Sequence, residues 1–241
     1  MSSESFETEG LFDLGEALPE PLPPEPMGLL CAWLGEARDG RVQPNPDSMA
    51  LATVEPDGGP SVRMVLAKQV RADPGYVVFY TNYRSRKGRA LEANPEAAAV
   101  FHWDSLSRQA RIRGPVVLSP AGESDAYFRT RPLISRLAAW ASRQSEPLVS
   151  RAALMEQVGQ VMERFGIGAK ELLGEAEAEI PRPPFWGGYR LWARRVELWV
   201  GGSGRAHDRG VWTRSLEAGE AGAGEAGAFT PGAWSAQRLQ P

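Results

Sequence analysis

A chain of 241 residues with 42% hydrophobic content is long enough to bury a full core, as one domain or two small ones. Its formal net charge of −3 gives no basic field for general nucleic-acid binding, so clustered Arg and Lys are expected to meet small anions. The single cysteine, Cys31, excludes an intrachain disulfide framework, and two histidines without a Cys/His cluster point to no metal site. No apolar run reaches the roughly 18 residues that suggest a membrane span. Met1–Gly10 is polar and acidic, unlike a secretory signal, so a soluble, cytoplasmic protein is expected.

Residues 1–26 repeat Glu and Pro and are expected to be a flexible, extended segment, with the folded domain running from 27 to 241. A helix is predicted over Met27–Arg38, where Met27, Leu30, Trp33 and Leu34 share a face and Gly40 stops the turn. Ser48–Val54 reads as a strand, turning at Pro56–Gly59 into Ser61–Val70. A turn at Ala72–Gly75 leads to Tyr76–Thr81, and Ser85-Arg86-Lys87-Gly88 opens a helix that ends near Asn94-Pro95. Ala97–Trp103 and Arg108–Leu118 are predicted strands. This mostly antiparallel meander, interrupted once by a helix, predicts a β-barrel with packed helices.

Ser119-Pro120 is expected to cap the next helix, with Pro at its first position. Pro132 breaks that helix, and a further one is predicted over Leu133–Ala141. Ser150 caps a third, whose Leu154, Val158, Val161, Met162 and Phe165 are expected to form a core stripe. An acidic connector follows, with room for a short helix, before strands at Trp186–Ala193 and Val196–Val200. Gly201–Gly204 leads into Arg205–Arg209. Glu217–Ala228 is low-complexity Ala/Gly/Glu, expected at a loose hairpin tip, and the last strand should run from about Trp234 to Leu239.

Two adjacent cations at a helix start are locally unfavourable, because the N-terminus already carries partial positive charge. Arg86 and Lys87 are therefore either a solvated basic turn or part of an anion site. Lys68, Tyr127, Arg131, Ser135, Arg205 and His207 are donors of the kind that bind a phosphate and a polar ring. Each has a plainer role open to it: an ion pair with Asp125 for Arg131, a half-buried core position for Tyr127, a cap for Ser135. His207 has no obvious orienting partner. Arg63 and Lys68 are five apart, so an ideal strand points them to opposite faces. Either a bulge intervenes or, as we favour, the two serve different parts of a site. Gly-rich stretches fit neither the Rossmann nor the phosphate-loop pattern.

RMVLAK (63–68), FYTN…SRKG (79–88), RQARIRG (108–114), YFRTRPLIS (127–135), SRQS (142–145), FWGGYR (185–190) and RAHDR (205–209) stand in the order seen in pyridoxamine 5′-phosphate oxidases. The chain resembles that family over roughly residues 27–241. The resemblance implies an FMN-binding split β-barrel and a homodimer with the flavin at its interface. It implies oxidation of pyridoxine 5′-phosphate or pyridoxamine 5′-phosphate to pyridoxal 5′-phosphate, with O2 as acceptor and H2O2 as product. Carried over by motif, Arg63, Arg86 and Lys87 would hold the FMN phosphate. Tyr80, Thr81, Gln109, Gln144, Ser145, Trp199 and Arg209 would complete the flavin site, with Lys68 close by. Lys68, Tyr127, Arg131 and Ser135 would hold the substrate phosphate, with Arg205 and His207 over the substrate ring as catalytic residues. At positions i and i+2, extended backbone would aim both at one face.

The chain departs from the family pattern in three places. Its N-terminal segment is acidic and Pro-rich where the family commonly has a basic, Tyr-containing lid. Ala206 replaces a larger apolar residue, and Glu217–Ala228 is an insertion. Two rivals stand beside this expectation. One is a related split-barrel oxidase of a larger aromatic, of the phenazine-biosynthesis type, which has no use for a phosphate clamp. The other is a module that binds FMN or pyridoxal 5′-phosphate without turnover.

Overall fold

The computed structural model describes residues 16–174, 177–219 and 229–241. Strand β1 (Ser48–Val54) pairs antiparallel with β2 (Pro60–Leu66) on one side and β5 (Glu96–Trp103) on the other. The long strand β6 (Arg108–Leu118) changes partners along its length. Arg108–Arg113 lie between β5 and β8 (Arg195–Val200), while Val116–Leu118 pair with β7 (Trp186–Trp192). β7 in turn pairs with β4 (Tyr76–Asn82), and β4 with the short β3 (Gln69–Arg71).

The circuit closes because β3 continues β2 after a two-residue break at Ala67-Lys68. There Ala67 N–H donates to Asp47 at 2.9 Å, and Lys68 N–H donates to Val78 at 2.8 Å. One chain segment thus serves β1 with its first half and β4 with its second. β8, β9 (Asp208–Thr213) and β12 (Ser235–Leu239) extend from β6 as an open wing, giving an all-antiparallel split barrel.

Alternation of small or apolar with polar residues sets the inner face. Along β5, Ala97, Ala99, Phe101 and Trp103 are buried while Ala98 and His102 are exposed. Phe79, Phe101, Trp103, Ile112 and Trp212 fill the barrel core, each at most 1% exposed. Helix α1 (Met27–Asp39) caps that core with Met27, Leu30, Trp33, Leu34 and Ala37, the face its spacing predicts. A satellite core of Phe128, Leu137, Ile180 and Trp186 forms under α3 (Ala121–Thr130) and α4 (Leu133–Ala141).

Several expectations need correction. Ser119 does not cap α3; its N–H continues the β6–β7 ladder to Gly188, and Pro120 occupies the cap position without a side-chain bond. Helix α5 (Arg151–Phe165) is capped by Ser150 as expected, but its apolar stripe is only half-buried. Val161, Met162 and Phe165 pack on the satellite core, and no residue of α5 is fully buried. The Gly-containing strand β9 has no counterpart among the predicted elements.

The predicted tip at Glu217–Ala228 falls mostly outside the described residues, but its flanks, β10 (Leu216–Ala218) and β11 (Phe229–Pro231), do pair as a hairpin. The first 15 residues of the acidic segment are also outside. Residues 16–26 have no regular structure, as their prolines dictate, yet they are docked. Leu18 is 3% exposed. Its N–H donates to Asp208 at 2.8 Å, and Trp212 Nε1–H donates to Pro23 at 2.8 Å. Arg238 on β12 bonds Pro19, Glu20 and Asp208. Buried apolar contact and these bonds outweigh the freedom expected from composition.

Candidate active site

Two clusters of donors emerge from this fold. The first surrounds the start of α2 (Arg86–Ala93). Ser85 caps the helix, accepting from Gly88 N–H, and Gly88 is required because a Cβ there would lie 1.9 Å from the Tyr83 carbonyl. The tight turn folds Lys87 inward, 7% exposed, where Nζ reaches Thr81 Oγ1 at 2.9 Å and Ser85 Oγ at 3.2 Å. Both partners are neutral. Burial, with the Arg63 cation nearby, pushes the Lys87 ammonium down to about 8.

Arg63 sits opposite Leu51 in the β1–β2 ladder. Its guanidinium donates to the Leu51 carbonyl at 3.1 Å, Thr53 Oγ1 at 2.8 Å and Ser61 Oγ at 2.7 Å. Between Arg63 and Arg86 stands Glu55, 8% exposed, with Oε1 3.8 Å from the first and 3.2 Å from the second. Arg86 is otherwise exposed. Three cations against one carboxylate, with a buried ammonium served only by hydroxyls, fit a bound anion.

A cavity of about 510 Å³ adjoins this cluster. It is lined by Thr81, Lys87 and Gln144 on one side and by Lys68, Tyr127, Arg131 and Ser135 on the other, with Tyr80 and Trp186 between. Thr81 Oγ1 donates to Gln144 Oε1 at 3.3 Å. Tyr80 and Tyr127 stack at 4.0 Å between ring centroids. Arg131 is half-buried; its Nη1 is buried without a hydrogen-bond partner, and burial lowers its proton affinity. Asp125, the partner open to Arg131 from sequence, is instead bonded by Arg182 at 2.6 Å. Ser145 is exposed in the neighbouring turn, at φ 75°.

Arg63 and Lys68 face apart, as alternation predicts, and Lys68 keeps the parity of Met64 and Leu66 across the break. Lys68 lines the cavity with Met64 and Leu66, while Arg63 turns the other way toward Thr53.

The second cluster lies on the wing. Gln109, Trp199 and Arg209 are consecutive register partners across β6, β8 and β9. Arg209 is held by the buried Glu197 at 2.8 Å and by the Gln240 carbonyl at 2.9 Å. His207 packs against Trp199 with ring centroids 4.7 Å apart and planes tilted by 44°, and Gly202 N–H donates to His207 Nδ1 at 3.2 Å. An orienting partner therefore exists, and it is a backbone group that sequence cannot reveal. With Nδ1 accepting, the neutral ring carries its proton on Nε2. A Cβ at Gly202 would lie 2.2 Å from the Ala206 carbonyl, so this closure needs glycine. Arg205 ends a 3-10 turn at φ 64°, exposed and left-handed, so the extended backbone expected for Arg205 and His207 is not present.

No residue of the second cluster lines the cavity. In the sheet, β1, β5 and β6 stand between β2 and β8. The outer face between them is apolar at one end, with Val62 68% and Met64 62% exposed.

Residues 40–163 match the family model described as pyridoxamine 5′-phosphate oxidase, and residues 186–241 match the pyridoxine 5′-phosphate oxidase C-terminal dimerisation region. The chain belongs to the pyridoxamine 5′-phosphate oxidase family. It is 44% identical over 222 residues to the pyridoxine/pyridoxamine 5′-phosphate oxidase of Paracoccus denitrificans, covering 90% of this chain and 95% of that one. The enzyme of the same description from Roseobacter denitrificans is 43% identical, with 90% and 94% covered. Among solved structures, PhzG from Burkholderia lata, in complex with tetrahydrophenazine-1-carboxylic acid, superposes with a TM-score of 0.74 at 31% identity. That match covers 91% of this chain and 94% of PhzG.

Glu55, between a predicted strand and its turn, and Trp186, at the start of a predicted strand, were given no site role from sequence. The fold sets Glu55 against Arg63 and Arg86 and Trp186 against Arg131.

Proposed function

We propose that this protein uses FMN to oxidise pyridoxine 5′-phosphate or pyridoxamine 5′-phosphate to pyridoxal 5′-phosphate, in the cytoplasm, with O2 as acceptor and H2O2 as product, the amine substrate also taking up water and releasing ammonia. The supporting observation is one cavity flanked by two anion sites. One is the Lys87–Arg63–Arg86 cluster, suited to the FMN phosphate. The other is Lys68, Tyr127, Arg131 and Ser135, suited to the substrate phosphate. Bound FMN would supply the two-electron acceptor and pass the electrons to oxygen.

The protein's own part is positioning. Gripping a remote phosphate gives binding energy that holds the reacting carbon in place, in a cavity walled by Tyr80, Tyr127 and Trp186. Arg205 would lie over the substrate ring and stabilise charge as hydride leaves. His207 would donate Nε2–H to a ring substituent. Because no wing residue lines the cavity, the proposal takes the wing residues from a second copy. A homodimer that covers the apolar outer face of β2 would bring the partner's wing to this cavity.

The test begins with the purified protein's absorption spectrum. A yellow flavin spectrum is expected, with FMN bound far better than riboflavin; equal binding of the two would refute the phosphate assignment. Pyridoxine 5′-phosphate should then bleach the flavin without oxygen, and unphosphorylated pyridoxine should do so poorly. A flavin that stays oxidised would mark a binding module instead. Bleaching by a tricyclic aromatic acid alone would favour the activity suggested by the resemblance to PhzG.

A further inference from the structure

We propose that Trp186 is a positioning residue for the substrate phosphate, acting as an uncharged brace for the Arg131 guanidinium. This rests on the functional reading above. The guanidinium carbon of Arg131 lies 4.6 Å from the centroid of the Trp186 ring and 5.6 Å from that of Phe128. No carboxylate pairs with Arg131 among the described residues, and its buried Nη1 makes no hydrogen bond.

A desolvated arginine is ordinarily held by an acid. Here an acid would compete with the incoming phosphate for the same N–H groups. An indole face attracts the cation through its quadrupole and fixes the plane of the fork, yet leaves the donating edge free for two parallel bonds to phosphate.

Trp186 is itself fixed, at 6% exposure. Its ring is nearly parallel to those of Tyr80 and Tyr127, at 5.6 Å and 6.2 Å, and meets Phe128 edge-on at 5.2 Å. Its carbonyl accepts from Arg182 at 2.6 Å, and its N–H donates to Pro183 at 3.0 Å. The following residue admits no side chain, since a Cβ at Gly187 would stand 2.0 Å from the Tyr83 hydroxyl. The strand is thereby pressed against its neighbours with the indole in one orientation. Tyr80 and Tyr127 stack directly on each other. One aromatic tier thus links the flavin side of the cavity to the phosphate clamp.

The test compares Trp186→Leu and Trp186→Phe in the full-length holoenzyme, with kcat and KM measured for pyridoxine 5′-phosphate and for pyridoxine. Trp186→Leu should raise KM for the phosphorylated substrate about tenfold, within the range of a desolvated cation–π contact. FMN content should hold, and kcat/KM should fall several-fold further for the phosphorylated substrate than for pyridoxine. Trp186→Phe, which keeps a ring face, should stay within about threefold of wild type. In an Arg131→Lys background, either Trp186 substitution should add nothing further.

Equal losses for the two substrates, or additive losses with Arg131→Lys, would make Trp186 only a core residue and overturn the brace. If Trp186→Leu does not fold, the Trp186→Phe cycle with Arg131→Lys decides by the same criterion. A wild-type protein that oxidises neither substrate defeats the functional reading instead. The dissociation constants of pyridoxal 5′-phosphate, read by absorbance in the same variants, would then take the place of KM.

Discussion

The cation cluster at α2 and the donor cluster on the β8–β9 wing carry similar residue types but are built differently. At α2 the two inward cations are over-determined, Arg63 by two hydroxyls and a carbonyl and Lys87 by two hydroxyls, while one buried carboxylate stands between Arg63 and Arg86. On the wing, Arg209 and His207 are fixed within the protomer, whereas Arg205 is exposed on a strained turn. Binding a cofactor phosphate rewards a preformed anion site. Acting on a substrate ring contributed across an interface leaves one side chain for the complex to place.

The sharpest way to break this contrast is Arg205→Ala. Turnover should fall roughly 10- to 1,000-fold, the scale of one lost electrostatic contact, while FMN content and thermal stability stay near wild type. Loss of FMN or of the dimer with turnover intact would make Arg205 structural.

Lys87→Ala should do the reverse, weakening FMN by more than about tenfold with a smaller effect on substrate KM, as measured by flavin fluorescence titration. The titration of Lys87 refines the point. Its ammonium is depressed to about 8 in the unliganded protein, and a bound phosphate would hold the proton. FMN affinity should therefore fall with rising pH above about 8, by at most tenfold per unit, and the decline should vanish in Lys87→Ala. The sign for the unliganded fold is the opposite: the unfolded chain holds this proton more tightly, so Lys87 disfavours folding less as pH rises from about 8 toward 10.5. The smallest effect belongs to His207→Ala, which should raise substrate KM about two- to tenfold, the scale of one neutral hydrogen bond, and leave FMN bound.

Strand positions were legible wherever apolar residues alternate, as in β1, β5 and β6. The closure of the barrel was not, because a strand that changes partner at Ala67-Lys68 looks like one continuous run. Arg63 and Lys68 face apart as counting by two foretold, since Lys68 keeps the parity of Met64 and Leu66 across the break. β9 was missed because Gly210 and the charged Asp208-Arg209 pair hide a strand whose Val211 and Trp212 are buried. The docking of Leu18 was hidden by composition: a Pro- and Glu-rich segment betrays nothing of one leucine that fits over Gly210. At the candidate site, residue types were legible and their orienting partners were not. Gly202 N–H and Glu55 act through chain geometry, and no motif records that.

The order of the strands carries a consequence for mixtures. Lys87 lines the cavity and Arg209 lies on β9, five strand positions from β2, so a dimer that shares sites takes one from each chain. Assayed at an FMN concentration that saturates wild type but neither variant, a protomer carrying Lys87→Ala and a protomer carrying Arg209→Ala would each have low activity with its own kind. Refolded together, half of the dimers pair one of each, and every such dimer holds one doubly damaged site and one intact site. Random pairing should bring activity to about one quarter of wild type, whereas sites confined to single chains would give no gain on mixing.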